Sequence, residues 1–201
     1  MIHDPDSGTY RLNSSKIATL TQYAVTDVSI TRLAGPVVGR LREHTQLCAG
    51  ITHFDTVVQC VNGPKLKFAD CASPKLALHT TAAGKLVLAY LPEPEMLALL
   101  RERGMPRWTP RTITQQSRLI AELELIRKRD YAIDDEESVR GLRCLTAPIF
   151  GPLGIIKGSI GVVGTTADLC DDKLPRVAIA VRQSAAAIMG PLNSPHQLSV
   201  S

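Results

Sequence analysis

Leu142-Arg143-Cys144-Leu145-Thr146-Ala147-Pro148-Ile149-Phe150, Gly151-Pro152-Leu153-Gly154, and Ile155-Ile156-Lys157-Gly158-Ser159-Ile160-Gly161-Val162-Val163 form the stretch whose reading decides the fold. Its weakly polar part, Leu145 to Gly164, has the length of a membrane helix. Pro148, Gly151, Pro152, Gly154 and Lys157 break it. A spanning helix needs about 20 predominantly apolar residues in a row. Pro152-Leu153-Gly154 is turn chemistry, so the stretch predicts a hairpin of two antiparallel strands, Leu142–Phe150 and Ile155–Val163. Side chains alternate along a strand. Leu142, Cys144 and Thr146 therefore share one face, and Ser159, Gly161 and Val163 share another. If both faces line a cavity, it is mostly apolar with a few hydroxyls, the usual make-up of a small-ligand site.

The elements around this hairpin alternate strands and helices. Upstream, Tyr131–Asp134 reads as a strand, and Gln115–Lys128 as an amphipathic helix with Leu119, Ile120, Leu123 and Ile126 on one stripe. Helices are expected at Thr80–Tyr90, stopped by Pro92, and at Glu95–Arg103, stopped by Gly104. Cys48–Phe54 and Thr56–Val61 read as strands around Asp55, with Leu66–Cys71 a further short candidate. Before them, helices are expected at Ser14–Ala24 and Val28–Glu43, the second kinked or divided at Gly35-Pro36. Downstream, Leu174–Met189 is a helix with Leu174, Val177, Ala178, Val181, Ala185 and Ile188 on one face. Asp4-Pro5-Asp6-Ser7-Gly8 followed by Thr9-Tyr10-Arg11-Leu12 reads as a turn and the last strand of a hairpin. This order predicts an α+β fold.

Composition narrows the class. The chain has 201 residues, 44% hydrophobic and 21% charged, with 23 basic and 19 acidic side chains. These are soluble globular values, and a net charge of +4 does not by itself argue for nucleic acid. The start, Met1-Ile2-His3-Asp4-Pro5-Asp6, has no basic and apolar signal-peptide pattern. Cys48, Cys60, Cys71, Cys144 and Cys170 are odd in number, widely spaced and without a Cys-x-x-Cys pair, so reduced thiols and a cytoplasmic setting are expected.

Three motifs occur in a specific order. His79-Thr80-Thr81-Ala82-Ala83-Gly84-Lys85 opens a helix. Arg127-Lys128-Arg129-Asp130-Tyr131-Ala132-Ile133-Asp134-Asp135-Glu136-Glu137 follows, and Gly141-Leu142-Arg143-Cys144 leads into the hairpin. Together they resemble the effector-binding domain of the IclR (isocitrate lyase regulator) family. That family shows H-A-T-A-x-G-K, then R-G-Y-x-x-D-x-E-E, then G-x-R-C-(I/L)-A-A-P-(I/V)-F. The match is close over Leu78–Leu192, looser over Ser14–Ala77, and the opening resembles the tip and last strand of the family's DNA-binding wing.

The resemblance implies a GAF-like domain, an antiparallel sheet flanked by helices, preceded by linker helices. The expected organisation is 1–12 as a wing remnant, 13–45 as linker helices, 46–192 as the effector-binding domain and 193–201 as a tail. It also implies a transcriptional regulator, expected to be a repressor, that is a homodimer or homotetramer and senses a small organic or aromatic acid. It would bind DNA only through a complete winged helix-turn-helix, whose recognition helix is absent from this sequence. No catalytic activity, cofactor, metal site or membrane partner is expected.

The resemblance places ligand contacts at Ala82, Ala83, Asp134, Leu142, Cys144, Gly161 and Val163, with Leu66 or Phe68 closing one side. Related sequences can carry carboxylate-binding hydroxyl residues where this chain has Gly161 and Val163. The departure points to a different effector, or to a carboxylate held by the Ala82 and Ala83 amides with help from Ser159 or Thr146. A helix start suits an anion, because its first N–H groups lack partners and lie at the positive end of the dipole.

Each reading has a plainer rival. Asp134–Glu137 is an acidic run that can simply be solvated, or Asp134 can accept a ligand hydroxyl. His79 reads as a hydrogen-bonding residue at the helix entry, and Cys144 as a small wall residue. Cys71, His79 and Cys144 match no zinc spacing. The rival functions are a GAF-like thiol redox enzyme using Cys144, which lacks an evident resolving cysteine or paired base, and a headless sensor or oligomerisation module.

Overall fold

The computed structural model describes residues 2–3, 10–11, 30, 32–53, 56–67 and 77–193. Strand β1 (Ile2–His3) pairs antiparallel with β2 (Tyr10–Arg11), Ile2 opposite Arg11, as the hairpin reading of the start requires. The expected helix Ser14–Ala24 and the residues beyond Lys67 in the strand candidate Leu66–Cys71 lie outside the described residues. Leu66 and Lys67 themselves are not in a strand.

A helix over 32–45 (α1) leads into β3 (Cys48–His53) and β4 (Thr56–Val61). Next come α2 (Ala82–Tyr90), α3 (Glu93–Arg103), α4 (Gln116–Arg129) and β5 (Ala132–Asp135). The chain finishes with β6 (Leu142–Phe150), β7 (Ile156–Thr165) and α5 (Leu174–Leu192). Five strands form one antiparallel sheet in the order β4-β3-β7-β6-β5. The α+β architecture and the central hairpin are as the sequence predicts, with Pro152–Gly154 as a single 3-10 turn.

Several boundaries shift by one or two residues from the sequence reading, and three departures have a clear physical reason. α1 runs through Gly35-Pro36 without dividing. The proline removes one N–H, but Ile30, Ala34, Val37, Val38 and Leu41 are buried in the core and hold the segment helical. α3 begins two residues early because Pro94 is tolerated in a first helical turn. α5 continues past Met189 to Leu192, carrying Pro191 in its last turn.

Alternation sorts the sheet into two faces. Ala49 and Ile51 of β3, Leu145, Ala147 and Ile149 of β6, and Ile160 and Val162 of β7 pack against α1 and α5 in one buried cluster. The opposite face carries a second cluster, built from Leu78, Ala82, Leu86, Leu88, Met96, Leu100, Leu119, Leu123, Ile126 and Ala132. The candidate site lies on this second face.

Candidate functional site

The register draws the sheet residues into rows. Cys48 pairs with Val163, Val163 with Cys144, and Cys144 with Asp134. In the next row Gly50 pairs with Gly161, Gly161 with Thr146, and Thr146 with Ala132. In the third, Thr52 and Pro148 flank Ser159. Row members sit roughly 4.8 Å from strand to strand, and rows roughly 6.8 Å apart. The structure thus brings Asp134, Cys144, Thr146, Ser159, Gly161 and Val163 onto one face. Leu142, opposite Thr165, lies two residues beyond the first row. Phe68 lies outside the described residues.

The start of α2 packs beside these rows, with Ala82, Ala132 and Cys144 in one apolar cluster. The motif His79–Lys85 explains the geometry. The Thr80 amide and hydroxyl both donate to the Ala77 carbonyl, at 3.0 and 2.8 Å. Thr81 is the N-cap; its hydroxyl accepts from the Gly84 amide at 2.9 Å. Its carbonyl accepts from the Lys85 amide at 2.9 Å. The ladder offers no carbonyl to the amides of Ala82 and Ala83. Gly84 permits this tight turn: a Cβ there would lie 2.3 Å from the Leu78 carbonyl oxygen. His79 is buried and its Nε2–H donates to the Pro106 carbonyl, 3.1 Å away. Burial lowers its pKa, so the ring is a neutral anchor for the turn.

Asp134 is buried, and its carboxylate organises the turn that follows β5. Oδ1 accepts from the Glu137 amide at 2.8 Å and the Ser138 amide at 3.2 Å, and Oδ2 accepts from the Ser138 hydroxyl. Burial raises its carboxyl pKa, with the Ser138 hydrogen bond and the Lys85 charge acting the other way. Glu137 Oε1 accepts from the Lys85 ammonium inside the protein. Desolvation pushes the Glu137 carboxyl up to about 7, against the pull of Lys85. Thr112 donates to the Glu137 carbonyl and Thr109 to the Glu136 carbonyl, both at 2.7 Å.

The acidic run is therefore split. Asp134 and Glu137 point inward, while Asp135 and Glu136 meet Arg111 at the surface. The sequence reading singled out neither Lys85 nor Glu137. A lysine amid the apolar residues of α2 was the available signal.

Ser159 is already partnered, its hydroxyl 2.7 Å from that of Thr52. Cys48 shares the Cys144 row but sits two strands away, roughly 9.6 Å and beyond disulfide reach. Its sulfur lies 2.8 Å from the Leu66 carbonyl and 3.1 Å from the Gly63 amide. A cavity of about 10 Å³, enough for one water, separates Ala83, Leu86 and Val87 of α2 from Ile156, Gly158 and Ser159. Among the described residues, no group of three His, Cys, Asp or Glu side chains is placed to hold a metal, and no helix is long and apolar enough to cross a membrane.

An antiparallel sheet with one face covered by α1 and α5, and the other facing the start of α2, defines an α+β domain. Residues 22–189 match the family model for the bacterial transcriptional regulator IclR C-terminal domain. The chain belongs to the IclR family, and the matched region is its effector-binding domain.

It is 34% identical over 157 residues to the HTH-type transcriptional regulator BhcR of Paracoccus denitrificans, covering 76% of this chain and 56% of that protein. It is 32% identical over 114 residues to the HTH-type transcriptional repressor AllR of Escherichia coli K12, covering 57% and 42%. The chain thus spans about half the length of the curated relatives it matches. The same fold is found in the inducer-binding domain of an Acinetobacter PobR double mutant bound to 3-hydroxybenzoic acid. The TM-score is 0.72 and the identity 22%, over 80% of this chain and 97% of that one.

Proposed function

We propose that this chain is the sensing part of a cytoplasmic repressor whose effector is a small organic or aromatic acid. The acid's carboxylate sits on the Ala82 and Ala83 amides. Its body lies over Leu142, Cys144, Gly161 and Val163, with Thr146 and Ser159 as hydroxyl neighbours and Asp134 shaping the wall. The observation that carries this reading is the start of α2, where the helix ladder supplies no carbonyl to the Ala82 and Ala83 amides, packed beside the Cys144 and Thr146 rows. Backbone N–H groups at a helix N-terminus form an anion site without any arginine or lysine. The relatives support the class: AllR is named a repressor, and the PobR domain holds an aromatic acid. In the whole protein, effector binding would shift a homodimer or homotetramer between states that present a winged helix-turn-helix differently to DNA. That shift requires the acid to bind the two states with different affinity.

The test is a thermal-shift screen with benzoate, 3-hydroxybenzoate, propanoate and lactate. An acid at about 100 times its Kd stabilises the fold by roughly 2.7 kcal/mol. Ala82→Pro removes one amide at a helix position where proline is tolerated, and Thr81 already has the extended backbone that a following proline requires. The expected outcome is loss of binding with the melting transition retained. Undiminished acid binding in Ala82→Pro would refute the anion site.

A further inference from the structure

The middle row of the sheet face contains a buried polar atom that the fold leaves unsatisfied. Thr146 is 9% exposed, and its Oγ1 has no hydrogen-bond partner. Its neighbours across both ladders explain why. On one side is Gly161, which has no side chain, and on the other Ala132, which has only a methyl. Buried hydroxyls nearly always find a partner, and leaving one orphaned costs free energy that nothing in this row returns.

Thr146 is also held in place. A Cβ at Gly161 would lie 2.3 Å from Thr146 Cγ2, so the threonine methyl occupies the volume that the glycine vacates. With the methyl against β7, staggering puts the hydroxyl in one of the other positions about Cβ, away from that contact. The rotamer is thus set by packing, while the oxygen is left for something that is not part of the fold. Ser159, the next hydroxyl along β7, is not equivalent, because Thr52 already pairs with it at 2.7 Å.

We infer that Thr146 Oγ1 is the specificity-determining contact of the effector site: it hydrogen-bonds a second oxygen on the bound acid, a hydroxyl or carbonyl beyond the carboxylate. The Thr146–Gly161 pair works as a unit. The glycine makes room for the threonine, and the threonine supplies from β6 the hydroxyl that β7 lacks. This inference rests on the effector-site reading above, with the carboxylate on the Ala82 and Ala83 amides.

Matched acids that differ in one oxygen test it: lactate against propanoate, and 3-hydroxybenzoate against benzoate. Kd values are measured by calorimetry on the wild type and on Thr146→Val, which keeps the shape and deletes the hydroxyl. The expected result is a wild-type preference of about tenfold or more for the oxygenated member of at least one pair. Thr146→Val abolishes that preference by weakening the oxygenated acid alone. The variant should also melt at or above the wild-type temperature, since no internal hydrogen bond is lost. Equal affinities in variant and wild type overturn the role of Thr146 while leaving the effector site standing. A lower melting temperature in Thr146→Val means the hydroxyl is held within the fold, and overturns it independently of any ligand. Failure of all four acids to bind the wild type removes the acid-sensing reading and this inference with it.

Discussion

At the scale of single residues, the buried cluster around Lys85 carries the sharpest energetic consequences. Lys85 is buried against Glu137, with Asp134 close enough to feel its charge. Removing one partner of a buried pair strands the other charge, which costs about 3–5 kcal/mol. Lys85→Met should lose that much stability in urea denaturation at pH 8, and less at pH 5, where Glu137 can take up a proton. The wild type has its own pH signature from the same carboxyl. Its folded pKa is raised from 4.5 to about 7, so the folded state holds the proton more tightly than the unfolded chain. That contribution to stability is fully present below about pH 4.5 and is lost as pH rises through about 7. His79, whose pKa is lowered, acts oppositely and costs stability as pH falls below its ordinary value. Wild type minus Glu137→Gln isolates the first effect: the stability difference should be most favourable to the wild type near pH 5 and shrink toward pH 8. A pH-independent difference would mean that Glu137 stays ionised throughout. Of this cluster only Asp134 was legible as a candidate in the sequence, and its carboxylate is spent chiefly on its own turn. Its partners come from residues three and four positions later, a local bonding pattern that an acidic run does not announce.

At the scale of elements, the helix ends decide the geometry of the site. α4 ends on Asp130, in the left-handed conformation with φ 58°, and the Asp130 amide caps the Ile126 carbonyl at 2.9 Å. The family motif has glycine at this position, and left-handed backbone costs a residue with a Cβ about 1 kcal/mol. Asp130→Gly should therefore stabilise the domain by up to about 1 kcal/mol, reduced by loss of the exposed contact to Arg182 at 3.5 Å. A melting temperature below the wild type would show that the ion pair matters more than the backbone. The start of α2 was legible from His79–Lys85 because capping chemistry is local: Thr81 bonds its own helix three residues on. α1 was less legible. Gly35-Pro36 reads as a breaker, and only the burial of Ala34, Val37, Val38 and Leu41 in the core keeps the helix continuous there.

At the scale of the whole molecule, one sheet is shared by two apolar clusters. Leu145 belongs to the α5 side and Leu123 to the α2 and α4 side. Because β6 contributes to both faces, the two sides should unfold together. Leu145→Ala and Leu123→Ala should each cost about 2–5 kcal/mol and lower one common transition, seen identically by circular dichroism and by tryptophan fluorescence from Trp108. Two separated transitions would mean that the helical layer over the site melts by itself, which would suit a segment that reorganises around an effector.

What the sequence determined was local or periodic. Strand alternation put Cys144 and Thr146 on a common face of one strand, and Ser159, Gly161 and Val163 on a common face of the next. Turn chemistry fixed the hairpin, and motif order indicated the family. The tertiary structure alone decided which residues oppose one another. The register sets Thr146 between Gly161 and Ala132, so its hydroxyl has no partner, and sets Ser159 beside Thr52, so its hydroxyl has one. The fold also brought Lys85 to Glu137, 52 positions along the chain. Alternation and capping depend on neighbours a few residues away, whereas pairing across a sheet and burial of a charge depend on groups that the chain brings together only when it closes.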